Sequence, residues 1–201
     1  LLFTADDGVH GPELWRTDGT SAGTTLVKDI RPGNLGSNPG EMAALGSGLV
    51  VFGADDGVNG AELWRTDGTA GGTTLVTSIR SGPTGSLLYY KMFGIGSRFA
   101  YFPADDGLRG TELWRSDGTA GGTTLVQDLA VGSSGSYPEY LTLSAGRLIF
   151  RAQDSAHGQE PRVLFPGATS QERGATHSLP GVRVQLRADD FTQVQRLILL
   201  R

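Results

Sequence analysis

The chain has 201 residues, 31 of them glycine, and no cysteine. Without cysteine there are no disulfides, no thiol chemistry and no cysteine-held zinc, and 17 Lys+Arg against 21 Asp+Glu with no basic cluster is a poor fit to nucleic-acid binding. No apolar run approaches the roughly 18–20 residues of a membrane-spanning helix, and this much glycine without a collagen period implies many turns, short elements and an all-β fold.

Along the chain, an apolar strand ending in Phe (LLF, residues 1–3) leads into Ala5-Asp6-Asp7-Gly8 and then ELWRTDGT from Glu13. TTLVKDI follows as a third strand, and EMAALG at 41–46 as a weaker fourth. The pattern then restarts. LVVF at 49–52, Ala54-Asp55-Asp56-Gly57, ELWRTDGT from Glu62, TTLVTSI and LLYYKMFG at 87–94 form the second copy. FAYF at 99–102, Ala104-Asp105-Asp106-Gly107, ELWRSDGT from Glu112, TTLVQDL and EYLTLS at 139–144 form the third. RLIF at 147–150 opens a decayed fourth, in which Pro161-Arg162-Val163 stands where Leu-Trp-Arg is expected, and RLILLR closes the chain.

The successive intervals along Glu13, Glu62, Glu112 and Glu160 are 49, 50 and 48 residues. A fixed period of this length is the signature of a repeat architecture. Side chains alternate along a strand, so Leu14 and Trp15 take opposite faces, and a sheet apolar on both faces must be covered on both. Four short strands per period of about 49 residues predict β-propeller blades stacked face to face. The units divide as 1–48, 49–98, 99–146 and a degenerate 147–195, with 196–201 as the first strand of a possible fifth. The chain reads as part of one larger propeller, a complete four-bladed ring being the second reading. The Pro in the second strand of the fourth unit is expected to weaken it.

The ELW-x-x-DGT pattern, with GT and LV following, resembles the ELWxxDGT tandem-repeat family over about residues 1–165. That family occurs in large, mostly bacterial exported and surface proteins, and hyalin-like adhesive arrays are comparable. The resemblance implies a propeller-type array, secreted or on the cell surface. It implies no particular activity.

Each recurring residue type admits a structural and a functional reading. Trp15, Trp64 and Trp114 fit packing between blades better than sugar-stacking platforms. The pairs Asp6/Asp7, Asp55/Asp56 and Asp105/Asp106 fit turn formation, with Ca²⁺ binding as the second reading, since calcium takes six to eight oxygens. Glu13, Glu62 and Glu112 with Arg16, Arg65 and Arg115 suggest a charge ladder between neighbouring blades. Asp18, Asp67 and Asp117 before Gly19, Gly68 and Gly118 are surface turns, comparable to the Asp-box of sialidase-type propellers. His10, His157 and His177 share no context. Tyr89, Tyr90, Tyr137 and Tyr140 fall in the least repeated segments, where packing is the first reading and a specific site the second. No catalytic residue is nominated. The chain is expected to be a non-enzymatic scaffold or adhesion module binding protein or glycan. The alternatives are a propeller glycoside hydrolase or polysaccharide lyase, with carboxylates from different blades converging, and a structural filament or matrix component.

Overall fold

In the computed structural model the structure describes residues 1–46, 48–87, 92–95, 98–144, 147–154, 156, 158–164 and 177–178. Among them there is no helix, and the strands form four antiparallel sheets. The first sheet has β1 (Leu2–Ala5), β2 (Glu13–Arg16) and β3 (Thr25–Lys28). The second runs β4 (Met42–Ala44), β5 (Val50–Asp55), β6 (Ala61–Thr66), β7 (Thr74–Thr77). The third runs β8 (Phe93–Ile95), β9 (Phe99–Asp105), β10 (Thr111–Ser116), β11 (Thr124–Gln127). The fourth runs β12 (Glu139–Ser144), β13 (Arg147–Asp154), β14 (Gly158–Leu164), β15 (His177–Ser178).

The strand that ends each sequence period is hydrogen-bonded to the first strand of the next one. Met42 lies opposite Phe52, and Gly94 opposite Ala100. The chain order of the strands was legible; their sheet membership was not. β4 lies against β8, and β8 against β12, so these strands draw together along one side of the array.

Consecutive sheets pack face to face, as the two-faced apolar strands require. Leu14, Val27 and Ile30 of the first sheet and its following loop meet Phe52, Ala54 and Trp64 of the second. Val51 and Leu63 of the second meet Ala100, Phe102 and Ala104 of the third, with Trp114 packed alongside. Tyr101 and Leu113 of the third meet Leu148, Phe150 and Ala152 of the fourth. Within ELW, Leu thus faces the following sheet and Trp the preceding one. A bulge recurs at the Leu/Trp step of β2, β6 and β10, where the pairing with the next strand shifts by one residue.

In the fourth sheet β14 holds its ladder through Pro161, which sits opposite Arg151. Arg162 lies opposite Phe150, as Trp114 lies opposite Phe102. It is only 5% exposed, and its guanidinium pairs with Asp154. An arginine stem thus occupies a tryptophan position, with its charge compensated at the neighbouring turn.

Candidate functional site

The repeated glutamate is fully buried in all three copies. The Glu62 carboxylate accepts hydrogen bonds from the Ile79 and Arg80 amides, both at 3.0 Å, and from Ser86 Oγ at 2.6 Å. Glu13 does the same with the Arg31 amide, the Ser37 amide and Ser37 Oγ. Glu112 accepts from the Leu129 and Ala130 amides and Ser136 Oγ. Burial raises the pKa of Glu62 and Glu112, and the hydrogen bonds oppose it. The expected Glu–Arg ladder is therefore corrected. These glutamates tie down the loop that leaves the third strand of the repeat, and a buried carboxylate with several donors needs no cation.

The arginines of ELWR do bridge sheets, but to backbone. Arg16 Nη1 donates to the Gly68 carbonyl and Arg65 Nη1 to the Gly118 carbonyl, both at 3.1 Å. Each acceptor belongs to the Asp-Gly-Thr turn of the following sheet. In that turn Asp67 Oδ1 accepts from the Thr69 amide and hydroxyl, and the same bonds recur at Asp18 and Asp117. The threonine bonds lower the pKa of all three aspartates. Gly68 takes φ +87°, and a Cβ on Gly72 would lie 2.0 Å from Asp67 Oδ1. The final glycine of DGTAGG is fixed by this close approach.

The adjacent aspartates divide their work. The second of each pair caps its own turn: Asp56 Oδ1 accepts from the Val58 and Asn59 amides, and Asp7 and Asp106 repeat the arrangement. Asp7 also accepts from His10 Nδ1, 2.7 Å away. Hydrogen bonds from His10 bring the Asp7 pKa down to about 2, and the same contact raises that of His10. The first aspartate accepts from the glycine amide of its turn, as Asp6 does from Gly8, and Asp55 and Asp105 also reach back one sheet. Arg31 Nη1 lies 2.6 Å from Asp55 Oδ2, and Arg80 Nη1 lies 2.9 Å from Asp105 Oδ2. The Glu-anchored loop thus joins its own sheet to the aspartate turn of the next. The Asp55 amide donates to the Ser37 carbonyl, and the Asp105 amide to the Ser86 carbonyl. Among the described residues no three His, Asp or Glu side chains gather as metal ligands would.

These connections place the Asp-Asp-Gly turns and the Glu-anchored loops at one end of the sheets, with the Asp-Gly-Thr turns at the other. The tip after each Asp-Asp-Gly is an exposed aliphatic: Val9 at 65%, Val58 at 72%, Leu108 at 73%. Sequence reasoning passed over this position, although its aliphatic character in all three copies was a usable signal. It also missed the serine partner, which stands 24 residues after each glutamate.

Trp64 is 7% exposed and packs between the first two sheets, with Lys28 Nζ 5.9 Å from its ring centroid. Trp114 packs at the next such interface, while Trp15 is half-buried. Tyr137 and Tyr140 are exposed rather than packed, both with positive φ, and the Arg151 guanidinium lies 4.9 Å from the Tyr140 ring centroid. Tyr89, Tyr90, His157 and the closing RLILLR lie outside the described residues, as does most of 166–201.

No family model and no curated protein matches the chain. Two solved structures of puromycin hydrolase do, one of them a mutant complexed with PGG. The TM-scores are 0.57 and 0.56, at 16% identity, over 88% of this chain and 26% of theirs. The chain thus spans about a quarter of those proteins, and the likeness is one of fold.

Proposed function

We propose that the chain is a non-enzymatic β-propeller module, secreted or carried on the cell surface, that serves as a scaffold or adhesion surface for protein or glycan. One observation carries this reading. The repeated acidic side chains, which are its natural candidates for chemistry, are engaged in building the turns and joining the sheets. In the propeller reading the four sheets are blades of about 49 residues, and β4, β8 and β12 are their inner strands. The adjacency of those three strands supports it, as does the likeness in fold to puromycin hydrolase. The exported, ELWxxDGT-like character rests on the octapeptides at Glu13, Glu62 and Glu112.

The test is an activity screen of the purified chain against peptide, ester and glycoside substrates. No turnover above background is expected. Saturable turnover that co-purifies with the chain and disappears on unfolding would overturn the reading.

A further inference from the structure

We propose that the end of the array bearing the Asp-Asp-Gly turns is a docking face for a protein segment that is both basic and apolar. This deepens the module reading above and rests on it.

The first observation is where the exposed aliphatic side chains lie. Val9, Val58 and Leu108 crown three successive turns, and Leu35 and Val131 stand on the loops packed beside them. Among the described residues only Leu1 and Leu143 are large exposed aliphatics elsewhere. Single exposed aliphatics are ordinary, but a concentration at one end marks an interaction surface.

The second observation is that the tips are held out. Each tip amide is bonded by the aspartate two residues before it: Val9 by Asp7, Val58 by Asp56, Leu108 by Asp106. The preceding glycine is at positive φ in all three turns, between +81° and +82°. The side chain is thus presented on a rigid loop, and little ordering entropy remains to be lost on binding.

The third observation is charge. The turns and loops at this end of the first three sheets carry eight aspartates: 6, 7, 29, 55, 56, 105, 106 and 128. Against them stand three arginines, 31, 80 and 109, and His10, each already paired with these aspartates: Arg31 with Asp55, Arg80 with Asp105, Arg109 with Asp106 and Asp128, His10 with Asp7. Acidic side chains thus outnumber basic ones here, and the aliphatic tips project from an anionic surface. An acidic partner or an anionic lipid surface meets repulsion there, and a purely polar one leaves the tips in water. Lysine or arginine interleaved with apolar side chains satisfies both features.

The experiment is fluorescence anisotropy of a labelled lysine–leucine amphipathic peptide titrated with the chain. Lysine–serine and glutamate–leucine peptides of the same pattern serve as comparisons. The lysine–leucine peptide is expected to bind saturably, and more weakly as salt rises. The lysine–serine peptide should bind at least about tenfold more weakly, and the glutamate–leucine peptide not at all. The triple substitution Val9→Ser, Val58→Ser and Leu108→Ser should cost about tenfold or more in affinity with the melting temperature retained. Leu108→Lys provides a single-site version that adds like charge against the peptide. Equal binding of all three peptides, no binding of any, or wild-type affinity in both variants overturns the proposal. So does self-association in sedimentation that the triple variant abolishes, which would assign the face to a second copy. Failure here leaves the activity screen untouched, so the two readings fall separately.

Discussion

Glu62 shows how far one side chain can act. Its carboxylate gathers donors from residues 79, 80 and 86, and its neutral isostere can do this only in part. In Glu62→Gln the amide NH₂ replaces an acceptor and faces amide donors, so the variant should lose about 1–3 kcal/mol in denaturant unfolding. Wild-type stability in that variant would remove the anchoring role. The aspartates govern the acid limb. Asp7, Asp18, Asp67 and Asp117 have pKa values lowered by hydrogen bonds. Each contributes stability that is present above the ordinary carboxylate pKa of about 4 and is lost as pH falls toward the folded value. Glu62 and Glu112 run the other way: their raised pKa gives stability below that range, lost as pH rises through the folded value. Asp67→Asn, which keeps the accepting Oδ1, should therefore show a smaller fall in melting temperature between pH 5 and pH 3 than the wild type. An unchanged fall would mean that Asp67 has the same pKa folded and unfolded.

Among the elements, the ELW strand ties each sheet to both neighbours. Trp64 belongs to the second sheet but fills space lined by Leu14, Val27 and Ile30 of the first. Trp64→Ala should cost about 3–5 kcal/mol, with the loss concentrated in the first two sheets. Hydrogen exchange resolved by segment measures both, and a loss spread evenly over the chain would contradict the packing described. This element also shows what was legible in sequence. The opposite faces of Leu and Trp follow from strand alternation alone, and the Asp-Gly-Thr turn follows from residue type. The partner of the glutamate did not, because it lies on a loop 17 to 24 residues downstream, whereas the equally recurrent arginine of ELWR suggested pairing between neighbouring sheets. Membership of the fourth strand was hidden for a similar reason. Chain order places Met42–Ala44 after β3, but its hydrogen bonds run to β5.

At the scale of the molecule, the turn aspartates bear on the calcium reading. Asp55 and Asp105 hold arginines, and Asp7, Asp56 and Asp106 hold amides. A cation would have to displace these bonds. A thermal melt in millimolar Ca²⁺ should therefore match one in chelator, whereas a ligand bound only by the folded state would raise the midpoint. A calcium-dependent rise would reassign the Asp-Asp-Gly turns as metal sites.

The forward reach of Arg16, Arg65, Arg31 and Arg80 has a consequence for how the array comes apart. Each of these bonds runs from one sheet to the very next. Cohesion is then a sum of nearest-neighbour links, as in a one-dimensional chain of coupled units. In such a chain a severed link isolates what lies on either side without loosening it. A lesion between the second and third sheets therefore leaves the packing of the first against the second, and of the third against the fourth, in place.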